Sequence, residues 1–326
     1  MNLWLVCLLF GWYASNSVFA VLNKEALKAF AFPWVVSWLQ LVAGVMVIVP
    51  RWIVTRSMPK LDIVFVTKKF GPMAILHATG HMLQVAAAGS GSVFMANVVK
   101  ATEPIIGTLV AVVATGTTPK LSTTLSLIPI ALGVGIAGYK PGAIELFSFS
   151  SLASFLSCFV FALAKVLAKN LMTPQMKRER RLDAANNYAL LTCCSTIVLT
   201  LPALLLQGIP ALATAKKLTQ NSSILRNIFI SGAAYFYSNN CSFQVLDLTG
   251  PVTQAVANAA KRVFVLGAAV IFLGEPITTQ KLFGSALALI GVLLYGLSKT
   301  NTREKKSSNT EAKEMSNGNS SSIKRN

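Results

Sequence analysis

The sequence predicts an all-α integral membrane protein with ten transmembrane helices arranged as two inverted five-helix repeats. Of the 326 residues, 54% are hydrophobic and 12% are charged, with a mean hydropathy of +0.60. Soluble domains carry roughly 25% charged residues. The apolar residues fall into ten segments of the length that a helix needs to cross about 30 Å of hydrocarbon. These segments span approximately residues 3–22, 33–54, 70–90, 93–113, 121–138, 149–169, 187–208, 226–247, 252–273 and 280–298.

The distribution of basic residues predicts the orientation. The loops after segments 2, 4 and 6 and the C-terminal tail hold 18 of the 29 Lys and Arg residues, the opposite loops hold 7, and 4 lie within segments. Short cytosolic loops carry an excess of Lys and Arg. We therefore expect both termini on the cytosolic side. The net charge of +18 does not indicate a nucleic-acid partner, because no basic helix face is interleaved with aromatic residues. We expect membrane lipid to surround the helices.

Several function classes lack their motifs. The chain contains no Walker loop, HExxH or CxxC sequence, so we expect no metal, no cofactor and no ATP-driven pumping. We find no pairing of a nucleophilic side chain with a general base that would indicate an enzyme. The five cysteines all lie in apolar segments and are typical of small apolar filling residues. The oligomeric state is not indicated by the sequence.

The ninth segment contains two adjacent cations, Lys261 and Arg262, inside an apolar stretch. A charge at the bilayer centre costs about 2.5–3.5 kcal/mol on insertion scales, so such residues face protein or a water-filled cavity. One interpretation is pairing with carboxylates on neighbouring helices. Glu103 is the one acid deep in a segment. It lies one turn after Lys100 and could form an ion pair with it. The scarcity of acids favours the other interpretation, a cavity that binds an external anion.

Two further segments carry polar stripes. His77, His81 and Gln84 lie on one face of the third helix. They either bind an oxygen-rich ligand or link helices through hydrogen bonds. The eighth segment has the most polar stripe, formed by Tyr235, Ser238, Asn239 and Ser242. In the first segment, the spacing of Asn16 and Asn23 favours hydrogen bonds between helices.

The two halves of the chain resemble each other. Asn97-x-x-Lys100 recurs as Asn258-x-x-Lys261, and Gly116, Gly133 and Gly138 recur as Gly274, Gly291 and Gly296. Because each half has five spans, the second must insert upside down, as in carriers that bind substrate between their halves. This predicts repeats at 1–138 and 139–298, a disordered tail at 299–326, and Lys100 opposite Lys261 and Arg262 across one cavity.

Four motifs carry a family resemblance. They are Gly80-His81, Val99-Lys100-Ala-Thr-Glu103-Pro104, Ser242-Phe-Gln-Val-Leu-Asp247 and Asn258-Ala-Ala-Lys261-Arg262-Val. With these residues the chain resembles the plastid phosphate translocator family (triose-phosphate/phosphate translocator-like), within the drug/metabolite transporter superfamily. Members are ten-helix antiporters that exchange inorganic phosphate for phosphorylated three-, five- or six-carbon compounds.

The resemblance implies roles for individual residues. Lys100, Lys261 and Arg262 match cations that bind phosphate, and His81 matches a histidine that helps to bind the organic part. Lys165 stands where the family commonly has arginine. Gln84 replaces a small hydroxyl residue and Ser238 replaces a tyrosine, with Asn239 following it. The expected contacts to the organic part are His81, Gln84, Lys165, Tyr235, Tyr237, Ser238 and Asn239.

The resemblance predicts an antiporter that exchanges phosphate for a phosphorylated C3 metabolite such as triose phosphate, 3-phosphoglycerate or phosphoenolpyruvate, with C5 and C6 compounds as further candidates. Its expected location is a plastid membrane. The first segment begins at Leu3 without a preceding transit extension, which leaves two interpretations: the sequence is trimmed of that extension, or the protein belongs to an outer membrane of a complex plastid. The alternative is a nucleotide-sugar transporter of the Golgi or ER membrane.

Overall fold

The computed structural model describes residues 3–60, 62–116, 118–140, 143–169, 179–214 and 222–298. It is helical apart from a two-residue antiparallel ladder, Tyr139–Lys140 with Ala143–Ile144. Seven of the described helices are long and apolar enough to cross a membrane. Large apolar side chains such as Phe10, Val113 and Phe272 are exposed, as expected of a lipid-facing surface. The prediction of a helical membrane protein is confirmed.

The first four helices are bounded by local signals. Helix α1 is Leu3–Ala29, and α2 is Pro33–Thr55, with proline in its first turn. A short helical lead-in, Ile63–Phe65 and Val66–Phe70, precedes α3 at Gly71–Ser90. Helix α4 comprises Val93–Val99, a tighter 3₁₀ turn at Lys100–Thr102, and Glu103–Thr115. The tight turn ends two residues before Pro104, which cannot continue the backbone hydrogen-bond ladder.

The remaining helices complete the bundle. Helix α5 is Leu121–Gly138, α6 is Phe149–Lys169, α7 is Ala184–Ala213, α8 is Ser222–Leu273 and α9 is Thr279–Ser298. The side chain of Asp183 accepts a hydrogen bond from Asn186 N and so caps α7. The predicted tail at 299–326 lies outside the described residues. The third predicted segment, α3, is not among the seven apolar helices, because its histidines, glutamine and glycines lower its hydropathy.

Helix α8 turns back on itself. Helical structure continues through its 52 residues, yet Tyr237 packs on Gly11 of α1 while Phe264 stacks on Tyr13, two residues further along α1. A straight helix would separate Tyr237 from Phe264 by about 40 Å. The chain therefore reverses between them, in the interval that contains the predicted break at Thr249, Gly250 and Pro251. We call 222–248 the first arm and 252–273 the second arm.

The helices associate through small residues and polar links. A Cβ atom at Gly133 of α5 would lie 2.4 Å from the backbone nitrogen of Ala288 in α9, so these helices touch along their backbones. Gln40 Nε2 of α2 donates hydrogen bonds to Asn23 Oδ1 of α1 and Ser231 Oγ of α8. Asn16 Nδ2 donates to Ser238 Oγ. Both asparagines of α1 thus link helices, which confirms the interpretation of their spacing.

Candidate functional site

A cavity of about 250 Å³ lies inside the helix bundle. Helices α1, α3, α4, α6, α7 and both arms of α8 contribute to its wall. Among the described residues, its charged and amide lining consists of Asn16, Asn23, Gln84, Asn97, Lys100, Glu103, Asn239, Gln254, Asn258, Lys261 and Arg262. Aromatic and apolar side chains fill the spaces between them, so the polar groups face a volume inside the bundle.

The three predicted phosphate-binding cations meet in this cavity. Lys100 stands where α4 tightens before Pro104, and Lys261 and Arg262 come from the second arm of α8. One contact of Lys261 is with Trp12, whose ring centroid lies 5.3 Å from Lys261 Nζ. The arrangement gathers three positive charges from two helices around one volume.

Arg262 is 5% exposed and held from two sides. Its Nη2 donates to Glu103 Oε2 at 3.0 Å, and its Nη1 donates to the backbone oxygen of Asn97 at 3.4 Å. Its Nε is buried and has no hydrogen-bond partner among the described residues. The sequence offered Glu103 as a partner for Lys100, but the structure pairs Glu103 with Arg262. In the described part of the chain, Lys100 has no carboxylate within ion-pair distance.

The histidine stripe of α3 divides between the cavity wall and the layer behind it. His77 and Gln84 line the cavity, whereas His81 is not among the lining residues. His77 Nδ1 lies 3.0 Å from Ser195 Oγ, and His77 Nε2 lies 3.5 Å from the Tyr235 hydroxyl. His81 is fully buried, with its ring centroid 4.1 Å from that of Tyr235. Neither ring nitrogen of His81 has a hydrogen-bond partner within the described ranges.

The polar stripe on the first arm of α8 is similarly divided. Tyr235, Asn239 and Ser242 line the cavity. Asn239 Nδ2 donates to the backbone oxygen of Tyr235. Ser238 is buried against Asn16 and is not a lining residue. Tyr237 is 50% exposed on the opposite face of the helix, against Gly11. The structure thus does not bring Tyr237 or Ser238 to the cavity surface.

Lys165 lies in α6, but its side chain is outside the described part of the structure. Its predicted contact with the organic part of a substrate stays a prediction. The neighbouring Phe161 and Ala164 of the same helix do line the cavity.

Sequence reasoning left several lining residues outside the predicted site, among them His77, Asn258 and Tyr188. His77 was on the predicted stripe, and Asn258 was in the repeated Asn-x-x-Lys motif, so both carried a signal. Tyr188 carried none, because α7 shows little periodicity around it. In the structure Tyr188 is 1% exposed, lines the cavity and lies edge-on to His77.

A cluster of hydrogen bonds lies at the start of α4. Glu275, just after α8, accepts hydrogen bonds from Ser92 Oγ, Val93 N and Phe94 N at 2.6–2.8 Å. Lys24 Nζ of α1 donates to the backbone oxygens of Gly89 and Gly91. We call Lys24, Gly89, Gly91, Ser92 and Glu275 the α3–α4 clamp. It ties the turn between α3 and α4 to both α1 and the segment after α8.

A family model matches almost the whole described bundle. The Triose-phosphate Transporter family model covers residues 3–296. The chain belongs to the Triose-phosphate Transporter family. This family is part of the drug/metabolite transporter superfamily, so the resemblance found in the four motifs is confirmed.

Two relatives with different named substrates have the same sequence identity to this chain. The chain is 30% identical to a chloroplastic triose phosphate/phosphate translocator of Pisum sativum, over 91% of this chain and 73% of the relative. It is 30% identical to a chloroplastic glucose-6-phosphate/phosphate translocator 2 of Arabidopsis thaliana, over 88% and 73%. A solved crystal structure matches with a TM-score of 0.53 at 12% identity, over 87% of this chain and 95% of that one, which supports the fold alone.

Proposed function

We propose that this protein is a secondary antiporter that exchanges inorganic phosphate for a phosphorylated metabolite. The observation that carries the proposal is the convergence of Lys100, Lys261 and Arg262 on one cavity inside the helix bundle. Charge-assisted hydrogen bonds to phosphate oxygens are about twice as strong as neutral ones, and a dianion offsets the repulsion among three cations. Membership of a transporter family supports transport over catalysis.

The first substrates to consider are C3 compounds such as triose phosphate, 3-phosphoglycerate and phosphoenolpyruvate, with C5 and C6 phosphates as further candidates. The names of relatives include both a triose phosphate and a glucose-6-phosphate translocator at 30% identity, so identity does not separate these classes. The residues proposed to contact the carbon skeleton are Gln84, Tyr235 and Asn239, which line the cavity, together with His77. Lys165 and His81 are retained from the family resemblance.

Transport is proposed to follow alternating access between two inverted halves of five spans. Two observations support this arrangement. Gly116 ends α4 with φ +66° and its repeat counterpart Gly274 follows α8 with φ +64°, so equivalent positions share an uncommon backbone conformation. The second is the reversal within α8, which separates the two arms where a ten-span topology requires a turn between spans 8 and 9. An empty cavity holds like charges that oppose closure, so each crossing requires a bound anion and exchange is obligatory.

A plastid membrane is the proposed location, because the relatives named above are chloroplastic. The proposal includes an outer membrane of a complex plastid and both termini on the cytosolic side, as the basic loops indicate. A fluorescent fusion expressed in the source cells, combined with protease protection of each terminus, tests the membrane and the orientation.

The deciding experiment is counterflow into liposomes that contain the purified protein and are loaded with inorganic phosphate. Labelled phosphate is added outside the liposomes, and its uptake is measured with and without an unlabelled competitor. The competitors are triose phosphate, 3-phosphoglycerate, phosphoenolpyruvate, a pentose phosphate, a hexose phosphate and a nucleotide sugar. We expect uptake of label to depend on internal phosphate and to be inhibited by at least one organic phosphate. Uptake of a labelled nucleotide sugar that unlabelled phosphate does not inhibit would establish the Golgi or ER alternative instead.

A further inference from the structure

Within the described lining of the cavity, Glu103 is a carboxylate among three cations. Its Oε2 lies 3.0 Å from Arg262 Nη2. Ion pairs at exposed sites contribute about 0–1 kcal/mol, but here Arg262 is 5% exposed and its side chain cannot be satisfied by bulk water. The pair therefore neutralises part of the positive charge that the cavity presents.

The guanidinium of Arg262 is only partly satisfied by the protein. Nη2 binds Glu103, Nη1 makes a long contact of 3.4 Å with Asn97 O, and the buried Nε has no partner among the described residues. A buried donor without a partner costs about 1–3 kcal/mol. Arg262 thus retains hydrogen-bonding capacity for an incoming oxygen anion while one of its strongest bonds is already made to Glu103.

We infer that Glu103 is an internal anion that holds Arg262 in the empty site and competes there with the phosphate group of the substrate. This inference rests on the proposed function. A bound phosphate dianion has to share Arg262 with a carboxylate of the same sign, which lowers phosphate affinity below what the three cations alone would give. An exchanger needs such a limit, because substrate that binds too tightly cannot leave on the other side.

The opposite role would be that Glu103 only positions Arg262 for phosphate. The two roles predict opposite effects of Glu103→Gln, which removes the charge and retains the shape. Loss of a competitor tightens phosphate binding, whereas loss of a positioning group weakens it. The two roles are therefore separable by one binding measurement.

The test uses the purified full-length protein in detergent, titrated with inorganic phosphate by calorimetry and by ligand-induced thermal stabilisation. For Glu103→Gln we expect the phosphate Kd to fall about tenfold, with a lower KM and a lower maximal exchange rate in liposomes. Glu103→Asp is the second variant, in case the first does not fold. Its carboxylate is drawn back from Arg262, so we expect a smaller fall in Kd.

Glu25→Gln is the matched control, because it also removes a carboxylate from an ion pair, the exposed Glu25–Lys28 contact outside the cavity. It should leave the phosphate Kd unchanged. A Kd that is unchanged or raised in both Glu103 variants would overturn the inference while leaving the proposed function standing. Wild-type protein that binds neither phosphate nor organic phosphates would overturn both.

Discussion

Ser242 and Gln254 are joined by a hydrogen bond of 3.1 Å between their side chains, although twelve positions separate them inside one helical segment. In a straight helix their Cα atoms would lie about 18 Å apart. The bond closes the base of the reversal in α8, and both side chains line the cavity. The reversal therefore brings the polar stripe of the first arm opposite the cations of the second.

The reversal is testable by distance measurement. Tyr237 and Phe264 are both exposed, on either side of α1, so spin labels on Tyr237→Cys and Phe264→Cys should not disturb the core. In a variant without the native cysteines, pulsed electron resonance should give a distance below about 25 Å, against about 40 Å for a straight helix. A distribution centred near the longer value would contradict the fold described for α8.

Removing a cavity cation should reduce exchange sharply. Lys261→Ala and Arg262→Ala each remove a charged donor, and a hydrogen bond to a charged group contributes about 1.5–3 kcal/mol. We expect phosphate–phosphate exchange in liposomes to fall by at least about tenfold. The control is Lys28→Ala, which removes an exposed cation outside the cavity. Wild-type rates in both cavity variants would exclude the proposed phosphate site.

Two tyrosines on the first arm of α8 form a matched pair. The Tyr235 side chain lines the cavity, whereas Tyr237 faces outward. Tyr235→Phe removes only the hydroxyl, so a lost hydrogen bond of about 1 kcal/mol should raise the KM for the organic phosphate about fivefold and leave phosphate self-exchange unchanged. Tyr237→Phe should alter neither. Equal effects of the two substitutions would show that Tyr235 does not contact substrate.

The contact between α5 and α9 should tolerate no added methyl group at its centre. A Cβ at Gly133 would approach Gly284 O at 2.5 Å and Ala288 N at 2.4 Å, and backbone atoms cannot move aside individually. Gly133→Ala should lower the free energy of unfolding in detergent by about 1–3 kcal/mol. Gly135 of the same helix has open space around it, so Gly135→Ala is expected to be neutral or stabilising by up to about 1 kcal/mol.

Glu275 should contribute to stability through its cap on α4. Its carboxylate accepts bonds from two free backbone amides and one hydroxyl at the helix N-terminus, where negative charge is favoured. Glu275→Gln should lower the free energy of unfolding by about 1 kcal/mol, measured by thermal melting in detergent. Glu25→Gln, at an exposed pair, should cost much less. Identical melting shifts would mean that the cap is not stabilising.

The features that sequence reasoning predicted follow from the cost of charge in hydrocarbon. Lys100, Lys261 and Arg262 had to face the interior, and the repeat suggested that they face one another. Helix bounds were less accurate: α1 continues to Ala29 and not to residue 22, and α7 extends to Ala213. At the end of α1, Asn23 and Lys24 bind Gln40 of α2 and backbone oxygens of the turn between α3 and α4, and a sequence window does not contain those neighbours.

Finer placement depended on rotations that periodicity resolves poorly. His77 and His81 differ by only about 40° around α3, so the pattern did not decide which of them lines the cavity. Tyr235 and Tyr237 differ by about 200° around α8, so one helix face cannot present both, yet both were predicted from the sequence as substrate contacts. The Glu103–Arg262 pair joins residues far apart in the chain. Pairing of Lys261 and Arg262 with a carboxylate was the less favoured interpretation of the sequence, and the structure shows such a pair for Arg262. Local spacing favoured the nearer Lys100 as the partner of Glu103.

The α3–α4 clamp has a consequence for solvent access. The amide hydrogens of Val93 and Phe94 are bonded to a carboxylate that belongs to the predicted second half, while their own helix belongs to the first. Any movement that separates these halves at this end must expose both amides to water. Under the proposed alternating access, deuterium exchange at these two amides would therefore report opening at this end without a mutation or an added probe.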